Sequence, residues 1–294
     1  MWNNSIDQKL FLYDNLPSSL KKLLITVYNQ HYEELYEPEA TRANCLQDDL
    51  DDILCLFNKN RNQILKQFRY IWMTLILAVV VEPTVKYYLP DCNISEDTIN
   101  RLASWLKKTL VELLHKETNF NKMLEQIEFI ESSDNLDEPL DFTNIFSGDN
   151  KIASFQVVYE ALDVYKNAVK VLDSNQSLEA LLNILDDCLE GYAIFPGSQG
   201  RRELFNWWLL EVVPASWRLS VPSSMYTIND SVDERGLISG QIARLEEIMS
   251  EMLSIMSNLN SKKIVPQNIL SYFSLKSFEI NVKTQNQSEF SSIK

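Results

Sequence analysis

Six glycines in 294 residues is the feature that most narrows what this chain can fold into. Glycine is the usual residue where a backbone must take positive φ, as in tight hairpins and phosphate-cradling βα loops. A chain holding so far below the roughly 7% of average usage has little material for either. No strand-like alternation is sustained, and neither GxGxxG nor GxxxxGK[ST] occurs, so dinucleotide and P-loop nucleotide sites of the usual kind are excluded. No segment repeats at the periods of solenoids or propellers. With 45% hydrophobic and 23% charged residues, the chain can bury a core and is not a disordered one. The expectation is all-α: an irregular multi-helix bundle of about eight to ten helices.

Periodicity divides the chain into N-terminal helices over 1–60, a helical core over 61–218, and a linker, amphipathic helix and polar tail over 219–294. Apolar residues at three and four spacings predict helices from Asn15 to about Tyr36, stopped by Pro38, and over 42–68. Phe68 to Val81 is the most apolar stretch and predicts a buried core helix ending at Pro83, too short for the roughly 20 residues of a membrane span. Ser95 followed by Glu96 and Asp97 predicts the next helix start, with Lys107 and Lys108 facing water. Residues 131–151 read as a surface loop. Helices follow over Ile152–Leu172 and Leu178–Leu189, then a Trp-rich helix ending near Pro214, with Arg201 and Glu203 at its solvent end. Residues 220–230 read as a linker and 270–294 as a loosely attached tail. Between them, Ile238, Ile242, Leu245, Met249, Met252, Met256 and Leu259 form a heptad seam. Ile248, Leu253 and Ile255 widen it, predicting docking on the body of the same chain and a monomer in preference to a dimer.

Charge limits the partners. The formal net charge is −14, a field that repels nucleic-acid backbones and anionic membranes and attracts basic proteins. Nearly all of the excess is local: residues 61–122 hold nine basic and six acidic residues, whereas 123–190 hold three and fifteen. Asp163, Asp173, Glu179, Asp186, Asp187 and Glu190 are therefore the candidate partner-binding residues, expected to share one surface that steers a basic protein.

Catalytic signals are sparse. His31 and His115 stand outside any HExxH, Cys–His or Ser–His–Asp pattern, and ordinary structural or surface roles are expected for both. Asp48-Asp49-Leu50-Asp51-Asp52 fits DDxxD and Asp186-Asp187-Cys188-Leu189-Glu190 fits DDxxE, the magnesium pattern of all-α isoprenoid synthases. The second metal-binding helix such an enzyme needs is not recognisable near Asn229-Asp230, so solvated acidic helix faces are the favoured account, and no metal, cofactor or enzymatic activity is expected. Cys45, Cys55, Cys92 and Cys188 have neither CxxC nor zinc spacing and predict free, buried thiols in a reducing compartment. No basic, apolar leader is recognisable in Met1 to Asp7, and the expected location is the cytoplasm.

The most distinctive string is Arg201-Arg202-Glu203-Leu204-Phe205-Asn206-Trp207-Trp208-Leu209-Leu210-Glu211-Val212-Val213-Pro214-Ala215-Ser216-Trp217, apolar on both sides and so expected to cross the middle of the bundle. FNWWLLEVVPASW resembles the FWxWWLxEaVPaAW signature of the mostly helical immunity proteins of bacterial polymorphic-toxin systems, the class numbered five. RYIWMTLILAVVVEP, with Tyr87 and Pro90 after it, is similar to that family's RxxWLAxLTAxxVLPxW segment. The match rests on Arg69, Trp72, Thr74, Ala78 and Pro83, then on Trp207, Trp208, Leu209, Glu211, Pro214 and Trp217, within about residues 60–218. Glu82 before Pro83, in place of Leu, and Asn206, in place of an acidic residue, depart from the pattern. The resemblance implies an all-α fold with no active site, and stoichiometric binding of a cognate toxin domain, for which the acidic surplus suits a basic one such as a nuclease. A helical adaptor for another protein is the alternative.

Overall fold

The computed structural model describes residues 16–35, 45–57, 62–115, 152–194, 197–226 and 234–260. The expected loop at 131–151, the stop at Pro38 and the tail at 270–294 lie outside them. The fold is all-α, with no strand among the described residues and eight helices when joined segments count as one. In chain order these are α1 (Ser18–Asn29), α2 (Leu46–Leu56), α3 (Gln63–Tyr88), α4 (Ile94–His115), α5 (Ile152–Lys170), α6 (Ser177–Leu185), α7 (Gly197–Trp207), α8 (Val213–Arg218) and α9 (Glu234–Asn260). A π-turn, Asp186–Glu190, extends α6; a second, Trp208–Val212, joins α7 to α8 in one rod.

Helix α3 is the axis. It is apolar on all sides, which only a central helix can be, and residues from Gln67 through Glu82 are buried without interruption. By length and composition it could cross a membrane, yet 89% of its most apolar window is covered by the rest of the protein. Helices α4, α5, α6 and α8 pack around it. Helix α5 runs antiparallel to α3: Gln67 Nε2 donates to the Val171 carbonyl at 2.5 Å, and the Tyr165 hydroxyl donates to the Ala78 carbonyl at 2.7 Å. The fully buried Trp72 and Trp208, with Trp105 and Trp207 nearly so, belong to one continuous core that also takes in Leu20, Leu24, Leu50 and Ile53 of the first two helices.

Pro83 does not end α3, contrary to the expectation. A proline inside a helix leaves the carbonyl four residues earlier without its N–H partner. That carbonyl belongs to Val79, and Gln241 Nε2 of α9 donates to it at 3.0 Å. A side chain far away in sequence thus supplies the missing bond. The helical region expected over 42–68 holds parts of two helices: α2 ends at Leu56, and α3, expected from Phe68, already begins at Gln63, where Asn62 caps it by accepting the Leu65 N–H at 3.1 Å. Helix α4 begins at Ile94, with the Asp97 N–H on the Asn93 carbonyl, so Ser95 is buried inside the first turn and does not cap it.

The Trp-rich helix also passes its proline. Through the π-turn, the Val213 N–H bonds to the Trp208 carbonyl, five residues back, and Pro214 then opens α8, where the lack of an N–H costs nothing. The rod ends at Leu219, which takes φ 52° and is the only non-glycine positive φ among the described residues. The left-handed conformation carries a steric cost for Leu. It closes the helix with Ser220 N–H on the Ala215 carbonyl and Leu219 N–H on the Ser216 carbonyl, and it buries the Leu219 side chain.

The expected linker is a pinned strap over its described part, 220–226. Trp72 Nε1 donates to the Ser220 carbonyl at 2.9 Å and Trp207 Nε1 to the Ser224 carbonyl at 2.8 Å. After it, α9 lies on α4 and α3 with Leu245, Ile248, Met252 and Met256 buried, so the described part of the heptad seam docks within the chain. Arg244 pairs with Glu82 at 2.8 Å, and Lys107, expected to face water, reaches Glu251 at 2.6 Å.

Candidate functional site

The acidic residues singled out by charge fall into two groups at opposite ends of α6. Helix α6 leads away from the turn after α5, and ten residues of helical rise separate Glu179 from Leu189, about 15 Å. Asp173 and Glu179 sit at the near end. There Asp173 organises the turn itself, accepting the Asn175 N–H at 2.9 Å and Gln176 Nε2 at 2.5 Å, while Glu179 is exposed in the first turn of α6. Asp186, Asp187 and Glu190 sit at the far end, in the π-turn.

Because α5 packs along α6 and the π-turn, Asp163 comes alongside that far end. The charges acting on Asp187 are those of Asp163, Glu160 and Asp186. Three of the six candidates therefore converge, with Glu160 as a fourth member that the charge count did not single out. Its signal was present in the sequence: Glu160 lies three residues before Asp163, on the same helix face. Asp163 is itself held by Asn167 Nδ2 at 2.9 Å and approached by Lys166 Nζ at 3.6 Å. Burial, then the neighbouring carboxylates, push Asp187 up to about 8. Burial also pushes the adjacent Cys188 thiol well up, so it stays neutral.

The π-turn explains why the DDxxE string does not present a face of the expected kind. Gly191 N–H closes on the Asp186 carbonyl at 2.8 Å, an i to i+5 bond, so Asp186 and Glu190 are not one α-helical turn apart. In the DDxxD string, Asp49 accepts the Tyr32 hydroxyl at 2.6 Å and Asp51 lies 3.7 Å from the Cys55 thiol. No group of three or more His, Cys, Asp or Glu that could hold a metal ion occurs among the described residues. None of the four cysteines is in a disulfide, as expected, but only Cys188 is buried; Cys55 is exposed and Cys45 and Cys92 are half-buried.

Beside the carboxyl node the outer face of α5 carries aromatic surface. Phe155 and Tyr159 stack with ring centroids 6.1 Å apart, and Tyr159, next to Glu160, is 48% exposed. Exposed tyrosine next to charge is the composition of a protein-binding surface, where rings supply contact area and charges supply steering. Reading helical faces from charge alone passed over this pair.

The motif residues do a different job. Arg69 is buried, donates Nε to the Trp217 carbonyl at 2.9 Å and lays its guanidinium 3.5 Å from the Trp217 ring centroid. Phe57 meets Trp217 edge-on at 5.3 Å. Glu211, buried in the second π-turn, accepts both the N–H and the hydroxyl of Ser223. Thr74, Ala78, Trp208, Leu209 and Pro214 are buried, and Pro83 is half-buried. Arg201, expected at the solvent end of its helix, is buried, its guanidinium 5.3 Å from the Tyr192 ring centroid. Side-chain contact between the two motif segments thus builds the middle of the bundle. No family model, curated protein or solved structure matches the chain.

Proposed function

We propose that this chain is a cytoplasmic immunity protein that neutralises a basic toxin domain, such as a nuclease, by stoichiometric contact. The observation that carries the reading is the convergence of Asp163, Asp186 and Asp187 with Glu160 where the middle of α5 meets the far end of α6, with the exposed Tyr159 next to Glu160 in the chain, in a protein of net charge −14. Such a surface speeds encounter with a basic partner, and aromatic contact area then slows its release. The resemblance of the two motif segments to immunity proteins supplies the class of partner. Their residues form the frame, and the acidic node between α5 and α6 is the surface offered to the toxin.

The test is co-expression with the product of the neighbouring gene, because toxin and immunity genes travel together. The expected result is a one-to-one complex and restored growth of cells making the toxin domain. Growth arrest that the chain does not relieve, with no complex formed, would overturn the reading.

A further inference from the structure

The acidic turn ties its charge to its backbone geometry. Glu160 of α5 accepts the Tyr192 N–H and is itself steadied by Gln156 Nε2 at 3.1 Å. Gly191 passes so close that a Cβ there would lie 2.5 Å from Glu160 Oε2 and 2.6 Å from the Asp187 carbonyl oxygen. Beyond it, the Ala193 N–H returns to that same Asp187 carbonyl at 3.1 Å. The exit from the π-turn is therefore threaded between a carboxylate on α5 and the backbone of Asp187. Asp187 Oδ2 is buried there without a hydrogen-bond partner.

The neighbouring charges that act on Asp187 all oppose its ionisation. Helix α5 offers Glu160 and Asp163, and the turn offers Asp186, Glu190 and the neutral thiol of Cys188. From α7 comes Arg201, placed over the Tyr192 ring, and the 3₁₀ turn Glu33–Leu35, which also packs here, brings the exposed Glu33. Lys166, on the solvent side, approaches Asp163 and is 66% exposed.

We propose that this node is a pH-operated latch: with a proton on Asp187 the π-turn is held against α5, and loss of that proton loosens the exit from Gly191 to Ala193. Four neighbouring carboxyl groups then carry one more mutual repulsion, beside a backbone passage too close for any side chain at Gly191. Burial and the neighbouring carboxylates set the midpoint near pH 8. The latch goes beyond the neutralisation reading and stands or falls without a partner, since its test uses the chain alone.

The experiment follows the Asp187 carboxyl carbon and the Gly191 and Tyr192 amides by NMR, with hydrogen exchange, from about pH 5 to about pH 9. The expected result is one shared midpoint near pH 8, with exchange at Tyr192, corrected for its intrinsic pH dependence, rising roughly tenfold across it. Asp187→Asn should abolish that rise. Asp163→Asn, which keeps the titrating group and removes a neighbour, should move the midpoint to lower pH. An Asp187 carboxyl titrating in the ordinary range, amides that do not follow it, or a midpoint that Asp163→Asn leaves in place would each overturn the latch.

Discussion

The molecule contains the same backbone irregularity twice, in opposite surroundings. Asp186–Glu190 and Trp208–Val212 are π-turns of five residues each, and each ends in an N–H that reaches back five residues. In the second, all five side chains are buried, and its one carboxylate, Glu211, is satisfied by two donors from Ser223. In the first, only Cys188 and Leu189 are buried, and Asp187 has the carboxylates of Asp163, Glu160 and Asp186 as neighbours. A π-turn re-aims side chains at the cost of one wide, weak turn. What it is used for depends on what it re-aims: one turn lets a Trp-rich rod fill the core past a proline, the other brings acidic groups together at a surface.

The sharpest contrast between the turns is in stability. Trp208→Ala, at a fully buried position, should cost about 3–5 kcal/mol in denaturant unfolding. A loss below about 1 kcal/mol would mean that the turn does not anchor the core. Glu211→Ala comes next: it removes a buried carboxylate that accepts from the Ser223 N–H and hydroxyl and should cost about 1–3 kcal/mol, most of it restored by Glu211→Gln.

In the acidic turn the sign reverses. The folded pKa of Asp187, about 8, lies above the roughly 3.9 of an unfolded aspartate. Its contribution to stability is therefore full below about pH 4, is lost steadily up to about pH 8, and is flat above. Thermal melts should show Asp187→Asn gaining on the wild type across that window and holding a constant lead beyond it. A constant difference at all pH values would remove the charge from the explanation. The smallest effect is expected for the exposed Asp186: Asp186→Ala should change stability by no more than about 0.5 kcal/mol while slowing association with a basic partner at low salt.

The sequence disclosed these two regions unequally. Burial of Trp72, Trp105, Trp207 and Trp208 was legible because their helices carry apolar residues at core spacing. The true span of α3 was not, because tolerance of Pro83 depends on Gln241, which only the tertiary fold brings to the Val79 carbonyl. Both π-turns escaped as well, since an extra residue in a helix shifts the apolar stripe without leaving a local mark. The strap looked like a linker because much of its anchoring is made by its backbone to Trp72, Trp207 and Glu211, which the side chains of Ser220 to Tyr226 do not announce. At the acidic end, counting charge found Asp163, Asp186 and Asp187. It could not separate them from Asp173 and Glu179, because one surface and two ends of a helix give the same count.

Binding between the purified chain and the toxin domain of the neighbouring gene, measured across salt concentration, decides whether the acidic node is the toxin-facing surface. Affinity should fall as salt rises, and Asp163→Lys with Asp186→Lys should slow the on-rate and abolish neutralisation while the fold of the double variant persists. Tight neutralising binding that neither salt nor the double charge reversal weakens would contradict that assignment.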